Sequence, residues 1–144
     1  MTSVLFVCVK NGGKSQMAAG LFRALVAADP DPDRWQVGSA GTKAGTTLNA
    51  LSVASLADVS VDISDQQPRQ LTPELQQAAD LVVNVGEAEV EQLDGPRYEV
   101  WQIDEPSLRG IDGPERMALV RDDVARHVDE LHERLLAAAA RPGL

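Results

Sequence analysis

Four consecutive apolar residues, Val4-Leu5-Phe6-Val7, run straight into Cys8 and a short glycine-bearing loop, after which a helical pattern opens near Ser15 and continues to about residue 28. A strand without polar alternation is buried on both faces, a condition met in a parallel sheet covered by helices. The rest of the chain repeats this theme with short connections. A second strand is expected at about 35–39, ending in Ala40-Gly41-Thr42, and a helix at about 49–57. Thr72 and Pro73 are residue types suited to an N-cap and a first helical position, opening a short helix to about Ala78. Asp80 to Val85 reads as a third strand, Ala88–Leu93 as a helix, and Tyr98–Ile103 as a fourth strand. Beyond Gly113-Pro114, the residues Met117, Val120, Val124, Val128, Leu131 and Leu135 form the stripe of a long helix docked on the sheet. No repeat or linker divides the chain, so residues 1–144 are expected to form a single α/β domain.

The loop after the first strand, Val9-Lys10-Asn11-Gly12-Gly13-Lys14-Ser15, stands where open α/β sheets bind ligands, at the carboxyl end of a strand and before a helix N-terminus. Backbone N–H groups and the helix dipole favour an anion there. Gly12 and Gly13 let the loop curl into a nest of inward-pointing amides. Lys14 adds positive charge, Lys10 is a candidate for more at the rim, and Ser15 can cap the helix while donating its hydroxyl to sulfur. The same field favours a thiolate over a thiol, so Cys8 is either a buried core thiol or a nucleophile, and the loop favours the nucleophile. Asn11 is expected to hold the loop open through side-chain hydrogen bonds.

Composition narrows the partners. A net charge of −9 argues against nucleic acid and anionic membranes, and leaves an oxyanion to be held by the local field of the loop. No signal peptide or transmembrane segment is expected. One cysteine excludes an internal disulfide, and a reactive thiol fits a reducing cytoplasm. His127 and His132 lie roughly 140° apart on the last helix and share no metal-binding face. No metal site is expected. Trp35, Trp101 and Tyr98 read as packing residues. The bias toward Ala, Asp, Val and Arg, with only three lysines, suggests a high-GC, actinobacterial origin.

The loop together with Ser15-Gln16-Met17-Ala18-Ala19-Gly20 resembles the low-molecular-weight phosphotyrosine phosphatase superfamily, and within it the thioredoxin-type arsenate reductase branch. Ser39-Ala40-Gly41-Thr42, Leu71-Thr72-Pro73-Glu74-Leu75 and Ala79-Asp80-Leu81-Val82-Val83 are similar to the same branch in the same order, so the resemblance spans about residues 3–135. It implies a four-stranded parallel twisted sheet with helices on both faces. It also implies an acid on the loop after strand four, here Trp101-Gln102-Ile103-Asp104-Glu105-Pro106. Glu105 stands in the family's acid position, with Asp104 able to substitute, and either would protonate the oxygen leaving arsenic or phosphorus.

Three departures shape the expected chemistry. The family's loop arginine is Lys14, which replaces a planar fork with a point charge. The relay cysteines are absent from 80–90, and the second loop cysteine is Gly13. The resemblance therefore implies an arsenate reductase with Cys8 as the only catalytic thiol, resolved by an external small thiol, with mycothiol and a mycoredoxin favoured by composition. Residues 9–15 would bind the oxyanion, with no tightly bound cofactor. The alternatives are a low-molecular-weight protein tyrosine phosphatase, disfavoured by Ser15-Gln16 and by Ser107-Leu108, and a non-catalytic oxyanion-binding remnant.

Overall fold

A computed structural model describes residues 1–139; the last residues of the expected domain, 140–144, lie outside them. Four strands, β1 (Thr2–Cys8), β2 (Trp35–Gly41), β3 (Leu81–Val85) and β4 (Arg97–Trp101), form one all-parallel sheet in the order β2-β1-β3-β4. Strand β1 is central because its Val4–Val7 run is buried on both faces, as the sequence required. Chain order reverses direction across β1, with β2 on one side and β3 on the other. That is a topological switch point, and Cys8 sits at its carboxyl end.

Helices α1 (Lys14–Ala27), α2 (Ala50–Ala57) and α4 (Gly113–Ala139) cover one face, and the short α3 (Pro73–Ala78) covers the other. The larger core joins Val4, Phe6, Phe22 and Trp101 to the α4 stripe, of which Met117, Val120, Val124, Val128 and Leu131 are buried and Leu135 is partly so. Phe6 stacks between Phe22 and Trp101, each ring centroid 5.7 Å away. Fully burying one such side chain contributes about 1.5–3 kcal/mol. The opposite face is thinner, with Leu5, Val7 and Val82 under Leu71, Leu75 and Val90.

The expected helix at Ala88–Leu93 is an irregular segment instead. Its backbone is claimed from outside: Asn84 Nδ2 donates to the Ala88 carbonyl, and the Leu93 N–H donates to the Tyr98 hydroxyl at 2.8 Å, which donates onward to Gln76. Six residues cannot repay helix nucleation against such partners. β4 also ends at Trp101 rather than Ile103, since the Asp104 N–H turns to Asp123 on α4 at 2.8 Å. Thr72 caps α3 as expected, accepting from the Leu75 N–H at 3.2 Å. Neither histidine approaches the other's chemistry. His132 pairs with Asp29 at 3.1 Å, tying α4 to the end of α1, and His127 stacks on Trp101.

Candidate active site

The loop from Val9 to Gly13 owes its shape to the segment after β2. Thr42, Lys43, Gly45 and Asn49 donate backbone N–H groups to the carbonyls of Cys8, Val9, Lys10 and Gly12 at 2.8–3.0 Å. The loop's carbonyls are therefore turned outward and satisfied. Among the described residues, the amides of Lys10, Asn11, Gly12 and Gly13 donate to no protein acceptor, leaving a row of free donors beside the start of α1. Gly41 makes the contact possible: a Cβ there would sit 2.6 Å from the Val9 carbonyl oxygen and 2.9 Å from the Asn11 nitrogen.

Inside the loop, Asn11 adopts φ 56° and is fully buried. Asparagine tolerates this left-handed conformation better than most side chains. Its Oδ1 accepts from the Arg69 backbone N–H at 2.9 Å and from Gln16 Nε2 at 3.1 Å. A backbone N–H is always a donor, so Oδ1 is fixed as the acceptor and Nδ2 must face the other way. There it donates to Ser15 Oγ at 2.7 Å. With Ser15 Oγ already accepting, its hydroxyl proton is free for Cys8 Sγ, 2.8 Å away. A chain of three hydrogen bonds thus runs from the Arg69 N–H through Asn11 and Ser15 to the Cys8 sulfur.

Ser15 does not cap α1, contrary to its expected double role. The helix begins at Lys14, Gly13 is the N-cap without a side-chain bond, and the Ser15 hydroxyl is committed to Asn11 and Cys8. This leaves the first-turn amides open to an anion. Gln16 was read in the sequence only as part of a motif. It is 1% exposed and braces the loop through Asn11 and the Gln67 carbonyl. Arg69 and the 42–49 segment carried no local signal, because their role is visible only once β2 lies beside β1.

All three lysines of the chain, Lys10, Lys14 and Lys43, belong to the anion loop or the strand of backbone bonded to it, and among the described residues none forms an ion pair. An acidic protein therefore keeps its lysines unneutralised at one spot. Lys14 lies along the Gly86 turn after β3, where a Cβ on Gly86 would be 3.9 Å from Nζ. It lines the cavity that holds Cys8 and Val9 and also one of about 640 Å³ bounded by Asp104 and Glu105. The structure thus brings Cys8, Lys14 and the two carboxylates to one end of the sheet.

The carboxylates are not idle. Arg116, on the first turn of α4, grips Glu105 with two bonds of 2.6 and 2.8 Å, and the Ser107 hydroxyl and N–H add two more. The Arg116 guanidinium, helped by Ser107, pulls the Glu105 carboxyl down to about 2. Arg109 forks onto Asp104 at 2.7 and 2.9 Å and lowers that carboxyl as well. Both are ionised as they stand. Arg116 was not visible as a site residue in the sequence, since nothing local marks an arginine eleven residues away as the partner of Glu105.

A lone thiol at the mouth of an amide-lined loop, with a hydroxyl hydrogen-bonded to sulfur, defines a class of cysteine-based, oxyanion-handling α/β proteins. The chain belongs to the low molecular weight phosphotyrosine protein phosphatase family, whose model matches residues 3–140. It is 31% identical over 137 residues to an arsenate reductase of Bacillus subtilis, covering 90% of this chain and 94% of that one. In three dimensions it is similar to a thioredoxin-dependent arsenate reductase of Corynebacterium glutamicum, with a TM-score of 0.78 and 27% identity; the match covers 96% of this chain and 63% of that one. It also resembles an arsenate reductase in the phosphate binding state, with a TM-score of 0.76, 25% identity, and coverage of 93% and 98%.

Proposed function

We propose that this protein is an arsenate reductase of the single-cysteine type, working in the cytoplasm as one domain. The observation that carries the reading is the oriented chain Arg69–Asn11–Ser15–Cys8 beside free loop amides, in a protein with no second thiol. Arsenate would sit on the amides of residues 9–15 with Lys14 over it. Cys8 sulfur attacks arsenic, forming the S–As bond while one oxygen departs as water. The protein has no thiol to break that adduct, so a small external thiol must do so.

The small thiol's sulfur attacks arsenic, the Cys8 sulfur leaves as a thiolate, and arsenic(V) passes to the small thiol without oxidation of either sulfur. A redoxin thiolate then attacks the small thiol's sulfur. An S–S bond forms, and the S–As electron pair stays on arsenic, reducing it to arsenite. Mycothiol with a mycoredoxin is the favoured pair, on the basis of composition alone. Donation of the departing oxygen's proton by Glu105 requires Arg116 to release it, and by Asp104 requires Arg109 to do the same. No tightly bound cofactor enters these steps.

The test measures arsenite formed with mycothiol and mycoredoxin, with glutathione and glutaredoxin, and with thioredoxin and its reductase, beside hydrolysis of an aryl phosphate. Sustained arsenite formation only where a small thiol is present is the expected result. Multiple turnovers with thioredoxin as the sole thiol source would refute the external-thiol step, and brisk ester hydrolysis without arsenite would mark a phosphatase.

A further inference from the structure

A further cavity, of about 500 Å³, borders the anion loop without being lined by Cys8, and is within the size range of small-molecule sites. The Gly12-Gly13 pair forms part of its wall. Gly12 packs tightly here, since a Cβ on it would meet the Thr47 carbonyl oxygen at 3.1 Å, while one on Gly13 would rest in ordinary contact with the Ser52 hydroxyl at 3.4 Å. Lys10 and Lys14 line this cavity as well as the one that holds Cys8, so the two share a wall.

The lining is chemically mixed. Lys10 and Lys14 supply positive charge, Arg116 adds a guanidinium whose charge is shared with Glu105, and Thr46, Thr47 and Asn49 supply hydrogen-bonding groups. Met117 and Val120 form an apolar floor. The Glu105 carboxylate fixes the Arg116 guanidinium at this wall through its two bonds. The oxyanion itself needs none of this space, because the loop amides and Lys14 account for it.

We propose that this cavity holds the body of the small thiol co-substrate: a cysteinyl thiol joined through an amide to a polar, hydroxyl- or carboxylate-bearing group. The inference rests on the external-thiol reading above. The body's oxygens would meet Arg116, Lys10 and the threonine hydroxyls, and its methylenes would lie on Met117 and Val120. The cysteinyl arm would pass Lys10 and Lys14 toward Cys8. Mycothiol and glutathione share this chemistry, and both serve as probes.

Two measurements separate this inference from the reading it rests on. The first is the mass of wild-type protein after incubation with arsenate, which shows whether a Cys8–arsenic adduct forms; no adduct overturns the arsenate reading. The second is titration of the Cys8→Ser protein with each thiol, followed by NMR, which does not depend on turnover. Shifts centred on the amides of Gly12, Gly13, Thr46 and Thr47 are expected. Thr47→Trp and Thr46→Trp, both at exposed positions, should each weaken binding and raise the thiol KM by about tenfold. No thiol binding, shifts elsewhere on the surface, or binding within twofold of the parent in both variants would overturn the cavity assignment.

Discussion

The two loops that flank the proposed arsenate site are built on opposite plans. The inner side of the anion loop is buried: Asn11 and Ser15 are 0% exposed, the Asn11 side chain is held by the Arg69 N–H and by Gln16, and its bonds lead through Ser15 to one sulfur. The carboxylate loop is open. Asp104 is paired with an arginine whose side chain is 53% exposed, and Leu108 stands 86% exposed beside it. The first plan stores order before any ligand arrives, which is what a nucleophile and its oxyanion donors need. The second holds its acids in ion pairs that water can compete for, so they can be released.

Removing the sulfur breaks the ordered loop's function outright. Cys8→Ser should fold as the parent does and lose arsenite formation by more than about a thousandfold. Loss of the fold, seen by circular dichroism, would show that the thiol is a core element after all.

One step back along the relay, Ser15→Ala removes a charge-assisted bond worth about 1.5–3 kcal/mol, so arsenate turnover should fall about ten- to a hundredfold. Asn11→Ala should behave differently. It strands the Arg69 N–H and Gln16, puts alanine at φ 56°, and should cost about 2–4 kcal/mol of stability. Urea midpoints of the two variants distinguish a local from a global contribution. Equal midpoints would mean the network is not a structural brace.

Lys14 tests the boundary between the loops. Lys14→Arg restores a planar fork and should raise aryl phosphate hydrolysis about tenfold, while Lys14→Ala should depress turnover of arsenate. Alanine performing as well as lysine would remove Lys14 from the oxyanion site.

The open loop should show the smallest effect. The ion pair with Arg116 holds the Glu105 carboxyl at about 2, below its ordinary range. A depressed carboxyl stabilises the fold above its unfolded value, and the gain fades as pH falls from about 4.3 toward 2. Because both side chains are about a third exposed, the gain at pH 7 should be at most about 1 kcal/mol. Denaturation of Arg116→Gln at pH 7 and near pH 2 should show that difference at the first and none at the second. In the same variant the limb on which the arsenate rate falls as pH rises should move up toward the ordinary carboxyl range if Glu105 donates the proton; a limb that does not move assigns the proton elsewhere.

The same contrast governs what could be read without coordinates. Strand β1, the α4 stripe, the Thr72 cap and the parallel sheet follow from periodicities and residue types within a few positions of each other, and the sheet and helices stand where those patterns put them. Cys8, the glycine pair and Ser15 are likewise contiguous, so their chemistry was legible as a loop between strand and helix. The Ala88–Leu93 helix failed because local propensity there loses to Asn84 and Tyr98, partners supplied by neighbouring strands.

What the amino-acid sequence determined by itself is the place of Cys8 at the end of β1, the loop that follows it and the class of sheet that presents them, because those depend on neighbours along the chain. Tertiary structure decided the orientation of the Asn11 amide that faces Ser15, through Arg69, fifty-eight residues from Asn11. It also decided the ionised state of Glu105, through Arg116, and the cavity behind Gly12 and Gly13. Orientation, charge state and empty volume are properties of groups brought together from distant positions, and they exist only once packing has set the distances between them.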